Sequence, residues 1–192
     1  MYTSSHIRRY IFSLTHETIF STREFLSFGK RAAVDKCLSR LVERGDIIRL
    51  ARGLFKRLDG NEFPAPFVIA LHKAKAFGKE IAISAIDAAK SLALIDEDEI
   101  SHQLTYTLNG HSTKFRCGKN TIYLQGVSAR KMHLADTPVG RAIRALWHLG
   151  KFRCNQQTIM SATRLFNRQE RHELRQSANL MPSWLADKLL HI

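Results

Sequence analysis

The chain has 192 residues, with 30 Lys+Arg against 17 Asp+Glu and a formal net charge of +13. With 44% of its residues hydrophobic it can bury a real core, and it has no apolar run of membrane-span length, so composition argues against a disordered chain and against a spanning helix. A charge this positive sets no fold, but it favours a polyanionic partner, because each phosphate neutralised releases condensed counterions.

The excess is uneven. Residues 1–58 carry 12 Lys+Arg and 5 Asp+Glu, residues 59–150 carry 11 and 9, and residues 151–192 carry 7 and 3. The first block therefore holds over half of the net charge in under a third of the chain. Three cysteines, Cys37, Cys117 and Cys154, lie far apart. Their odd number and wide spacing argue against a disulfide framework, and no C-x-x-C pair suggests a zinc ribbon. The N-terminus, MYTSSHIRRY, does not read as a secretory signal. These features lead us to expect a cytoplasmic protein that does not associate with membranes and needs no metal or cofactor.

In chain order, Ser5–Leu14 reads as a helix, with Ile7, Tyr10, Ile11 and Leu14 on one face. Thr18–Phe20 is a short extended piece. Ser21-Thr22-Arg23-Glu24 has the form of a capping box opening a short helix that carries Phe25 and Leu26, with Gly29 expected to close it at positive φ. Lys30–Arg44 is a longer amphipathic helix. Val34, Cys37, Leu38, Leu41 and Val42 form its apolar stripe, and Gly45 ends it. Cys37 is therefore a core residue. Ile47–Leu50 and Leu54–Arg57 read as strands joined by a tight turn at Ala51-Arg52-Gly53. Helix, strand, helix, turn, helix and hairpin follow one another in the order of a winged helix-turn-helix.

A linker is expected at Asp59–Pro66 and a helix over 65–77, stopped by Gly78. A strand at Ile81–Ile83 and a helix at Ala85–Leu94 precede the acidic run Asp96-Glu97-Asp98-Glu99. Leu104–Leu108 reads as a strand. Asn109-Gly110 is a hairpin signal, after which Lys114–Cys117 should pair back and Thr121–Gln125 should add another strand. Thr137-Pro138 marks a helix start, and Gly150 marks its end. Two or three helices fill 156–192, the last with Trp184, Leu185 and Leu189 as its buried face. The expected fold class is α+β. Its parts are a winged helix-turn-helix over 1–58, a mixed α/β domain with a small antiparallel sheet over 59–150, and C-terminal helices over 151–192 packed on that second domain.

The segment that carries chemistry is the first. In a helix-turn-helix the N-terminal residues of the second helix lie nearest the base edges of the major groove. Here that helix opens with Lys30 and Arg31, and Lys36 and Arg40 follow one and two turns on, where phosphate contact fits. Ser21 and Thr22 begin the preceding helix, where free N–H groups can hold a phosphate. Arg52 at the hairpin tip can enter a minor groove, and Arg49, Lys56 and Arg57 can support it along the backbone. The partner expected from this pattern is double-stranded DNA. The bland alternative for each cation is a solvated face of a small domain.

The run from Leu38 to Phe55, LSRLVERGDIIRLARGLF, resembles the winged-helix half of AbiEi-type antitoxins of type IV toxin–antitoxin systems, with Phe55 in the aromatic place. Ile83-Ser84-Ala85, Ala88-Ala89, Leu104–Gly110, Met132, Leu146, Leu149-Gly150-Lys151 and Met181–Trp184 extend the resemblance to a subgroup described as transcriptional regulators. It implies a repressor of its own operon whose C-terminal domain opposes a nucleotidyltransferase-like toxin, making a cognate toxin a second partner. The expectation is a regulator and not an enzyme; the alternatives are a solitary regulator without a toxin and a protein-binding module, with a nucleic-acid enzyme less favoured. Asp96 and Asp98 form a D-x-D that a nucleic-acid enzyme can use to hold a metal, but no third carboxylate stands at a telling distance. Residues 59–192 can instead serve as a protein-binding module. A homodimer on DNA and a monomer binding one repeat at a time are equally compatible with the sequence.

Overall fold

The structure is a computed structural model that describes residues 2–58, 63–95, 103–134 and 136–190. Its fold is α+β. By packing, the chain divides into two units: residues 1–80 with 114–122, and residues 81–113 with 123–192. This division departs from the boundaries expected from composition. The helix after the 59–66 linker and residues 114–122 group with the basic N-terminal segment, while the C-terminal helices share one core with the region before them. The acidic run at 96–99, with its D-x-D, lies outside the described residues. No described helix is long and apolar enough to cross a membrane.

The first unit opens with α1 (Tyr2–Ser13), β1 (Ile19–Ser21) and a 3₁₀ segment (Thr22–Phe28). It continues through α2 (Arg31–Glu43), β2 (Ile47–Ala51), β3 (Leu54–Arg57) and α3 (Pro66–Lys75). The spacing of apolar residues explains its core. Ile7 and Ile11 lie one turn apart on α1, and Val34, Cys37, Leu38 and Leu41 fall on one face of α2. Both stripes bury against Phe20, Phe25, Ile47 and Phe55. The strands form an antiparallel sheet in the order β1-β3-β2, in which Phe20 is opposite Phe55 and the two rings stack at 6.1 Å.

Two expectations change here. Gly29 sits at φ 164°, which is extended backbone open to any residue, so the turn before α2 does not need glycine there. Lys56 and Arg57 are engaged within the fold. Lys56 is 5% exposed and its ammonium pairs with Glu17 at 3.0 Å, while Arg57 donates to the carbonyls of Phe12 and Leu14.

After α3 come β4 (Ile81–Ile83), α4 (Ala85–Ser91), β5 (Leu104–Asn109), β6 (Thr113–Cys117) and β7 (Asn120–Val127). They are followed by α5 (Ala129–Met132), α6 (Pro138–Arg153), α7 (Gln156–Thr163), α8 (Arg168–Gln176), a 3₁₀ segment at Ser177–Leu180, and α9 (Ser183–Leu190). The strand order is β4-β5-β7-β6, and the 114–122 part of the β6–β7 hairpin groups with the first unit. Strand β5 therefore lies beside β7, and the hairpin expected at Asn109-Gly110 does not form. Residues 110–112 instead carry the chain across the end of β7. Gly126 makes this crossing possible, since a Cβ there would stand 2.0 Å from the Gly110 carbonyl oxygen and 2.8 Å from the Ser112 nitrogen. Gly126 also donates its N–H to Ser112 Oγ at 2.9 Å. Because the ends of β5 and β7 meet at this point, the two strands run the same way. The sheet is mixed, not purely antiparallel as expected.

Helix α6 is the centre of the second core. Ala88 and Ala89 of α4 pack on Ala145, and these small side chains allow the two helix backbones to approach closely. Its other face meets Ile159, Phe166, Leu174, Met181, Leu185 and Leu189. Gly150 interrupts α6 at φ 78°, ψ 169°, close to the stop expected from sequence. Beyond the break, Lys188 of α9 donates to the carbonyls of Lys151 and Cys154 at 3.2 and 2.6 Å. At the other end of α6, Thr137 Oγ1 accepts from the Gly140 N–H at 3.1 Å and donates to Glu173 Oε1 at 2.8 Å. Thr137→Ala removes the cap and a tie to α8. It should cost about 1–2 kcal/mol, read as a melting point lowered by several degrees in thermal denaturation.

Candidate functional site

A concavity of about 390 Å³ in the first unit is lined by Ser21, Thr22, Arg23, Arg31, Arg52, Gly53, Lys73, Ala76 and Phe77. Local rules place each part. Gly53 takes φ +74° at the β2–β3 turn, a conformation side chains resist, and this sets Arg52 at the tip. The Thr22 N–H donates to the Gly53 carbonyl at 3.1 Å, so the turn is tied to the start of the 3₁₀ segment. Arg31 begins α2, which carries no acidic residue in its first turn. The positive end of the helix dipole therefore adds to the charge of Lys30 and Arg31.

Helix α3 closes the concavity. Lys73 donates to the Arg52 carbonyl. Burial lowers the pKa of Lys73, and the charge of Arg52 lowers it further, as expected where cations crowd together. The Phe77 ring carries Arg23 at 4.3 Å and Lys73 at 5.4 Å, so one aromatic face holds two cations in place. Burial also lowers the pKa of His72 on the same helix. Lys75 adds to that shift and Glu24 opposes it. Thr22 is 2% exposed and its hydroxyl has no hydrogen-bond partner.

Of the residues expected from sequence, Ser21, Thr22, Arg31 and Arg52 meet in this concavity. The backbone N–H groups of Ser21 and Thr22, expected to be free at a helix start, are bonded within the fold. Both residues are buried, the Ser21 N–H donates to Glu24 Oε1 at 2.6 Å, and the Thr22 N–H is taken by Gly53. Those N–H groups are therefore not available to a phosphate. Arg31 also donates to Asp35 at 2.9 Å, a pair on the exposed surface of α2. Lys30, Lys36 and Arg40 are exposed along α2 outside the concavity. Arg49 lies over the Phe55 ring at 5.5 Å and donates to Ser39 Oγ at 3.4 Å.

Sequence reasoning missed Arg23, Lys73 and Phe77. Arg23 was hidden inside a capping motif. Lys73 and Phe77 lie beyond the linker, and no local periodicity points them at the Arg52 turn. Among the described residues no three His, Cys, Asp or Glu side chains gather as a metal site needs. The described cysteines Cys37, Cys117 and Cys154 are buried free thiols, and Cys37 belongs to the core as expected. Burial raises the pKa of Cys117 and of Cys154, although Lys188 partly opposes the shift at Cys154.

A family model described as "Family of unknown function (DUF6088)" matches residues 6–174, most of the chain. No curated protein matches.

Proposed function

We propose that this chain, which belongs to the DUF6088 family of unknown function, is a DNA-binding regulator whose first unit acts as a winged helix-turn-helix. The observation that carries the reading is the convergence of Arg23, Arg31, Arg52 and Lys73, drawn from four separate elements, on one concavity. Unrelated surface cations rarely meet this way, and here no carboxylate is among the lining residues. In this reading α2 enters the major groove with Lys30 and Arg31 foremost, while Lys36 and Arg40 follow along the phosphates. The β2–β3 hairpin is the wing, and Arg52 reaches the adjacent backbone or minor groove with Arg49 behind it. The resemblance of residues 38–55 to AbiEi-type antitoxins extends the proposal. On that basis the DNA is the operator of the chain's own operon, and the second unit serves to oppose a nucleotidyltransferase-like toxin.

Fluorescence anisotropy against two labelled duplexes tests this reading, one from the region upstream of its own gene and one of unrelated sequence. Each phosphate neutralised adds about 0.9 to the slope of log K against log salt. With the cations named above, the slope should be steeper than about −4. The upstream duplex should bind more tightly than the unrelated one. Salt-insensitive binding, or no binding at low salt, defeats the proposal. Equal affinity for both duplexes leaves DNA binding standing and removes the operator.

A further inference from the structure

The second unit contains a smaller and more enclosed cavity, of about 90 Å³, whose wall includes Thr107, Lys131, Arg144, Trp147 and His148. Its centre of interest is Arg144, only 4% exposed. One guanidinium nitrogen, Nη2, donates to Asp136 Oδ1 at 2.8 Å, while Nε and Nη1 are buried without a partner. Nε carries one N–H and Nη1 carries two, and leaving such donors unmet inside a protein is costly.

The carboxylate that faces Arg144 is also shared. Arg141 donates to both oxygens of Asp136, at 3.0 and 3.3 Å, so one negative charge serves two positive ones. Burial works against the charge on Arg144 and Asp136 only partly offsets it, so its pKa is lowered. A second cation stands on the same wall, since Lys131 lies over the Trp147 ring at 4.5 Å. The cavity therefore offers an excess of positive charge and buried donors in need of acceptors, in a space equal to a few water molecules.

We propose that this cavity binds one small oxyanion group, a phosphate or a carboxylate, held by Arg144 and Lys131. The acceptor oxygens would meet the unused guanidinium N–H groups in charge-assisted hydrogen bonds, and the anion would balance the surplus charge around Asp136. The site shares no residue with the basic concavity of the first unit. It therefore stands or falls independently of DNA binding.

The test titrates the full chain with inorganic phosphate, and separately with acetate, at constant ionic strength in chloride. Calorimetry and the intrinsic fluorescence of a Trp184→Phe variant, in which Trp147 is the remaining tryptophan, report binding. At least one of the two anions should bind saturably with a stoichiometry near one, and the tighter of the two identifies the ligand chemistry. Binding should persist in the triple variant Lys30→Glu, Arg31→Glu, Arg52→Glu, which takes positive charge off the first unit's basic surface. Lys131→Ala and Arg144→Lys should each weaken binding at least tenfold. The Lys131 change lies outside the cores, so it keeps the test open if the Arg144 variant fails to fold. Absence of saturable binding by both anions overturns the proposal, as does wild-type affinity in folded Lys131→Ala.

Discussion

Reversing three charges, Lys30→Glu, Arg31→Glu and Arg52→Glu, is expected to abolish the retarded band in a gel-shift assay on the upstream duplex, with affinity reduced at least ~100-fold. Hydrogen bonds to charged groups contribute about 1.5–3 kcal/mol each. Losing three of them, and placing negative charge against phosphates, exceeds that threshold even if the contributions overlap. The salt slope should also become shallower by about 3, one unit per lost contact. The fold should survive. Lys30, Arg31 and Arg52 are exposed, and the Arg31–Asp35 pair is a surface i,i+4 pair worth a few tenths of a kcal/mol. Glutamates at positions 30 and 31 stand at the positive end of α2, where the dipole favours them. Lys73 bonds the backbone oxygen of Arg52 and keeps that bond whatever side chain is there. A melting point within a few degrees of wild type, combined with an intact band, would remove the helix mouth and hairpin tip from the interface.

The second large effect concerns stability. Gly126→Ala should destabilise the second unit by about 3 kcal/mol or more, at the upper end of what overpacking costs. The new methyl carbon would stand 2.0 Å from a backbone carbonyl oxygen and 2.8 Å from a backbone nitrogen. Neither is the end of a flexible side chain, so relief requires the crossing at 110–112 to move off β7. Gly78→Ala is the matched control. Gly78 has φ +66° but open space around its Cβ position, so only the backbone strain of about 1–2 kcal/mol is expected. Urea denaturation followed by circular dichroism should separate the two. Equal midpoints for the variants would show that the crossing adapts.

What the sequence made legible follows range of interaction. The stripes of α1 and α2, the Gly53 turn, the Thr137 cap and the break at Gly150 are set by neighbours a few residues away, and local rules place each of them. Asn109-Gly110 is a local turn signal, yet β5 pairs beside β7 and no β5–β6 hairpin forms. Gly126, sixteen residues after Gly110, leaves room for the crossing by having no side chain. The basic site divides in the same way. Arg31 and Arg52 could be read from their positions in the motif. Lys73 and Phe77 enter through tertiary packing of α3, which no periodicity within residues 66–75 encodes. Lys56 shows the reverse error. A cation in a basic strand invites a functional role, yet its burial and its Glu17 partner tie it to the scaffold.

The ammonium of Lys188 ties two helices of the second unit together. It closes α9 over the two carbonyls left beyond the interruption at Gly150, while Leu185 and Leu189 cover the neighbouring core. The final helix is thus a fastener and not an appendage. Trimming the chain at Met181 would strip an apolar surface bare and strand both oxygens. A shortened version of the second unit should therefore be chosen with α9 retained.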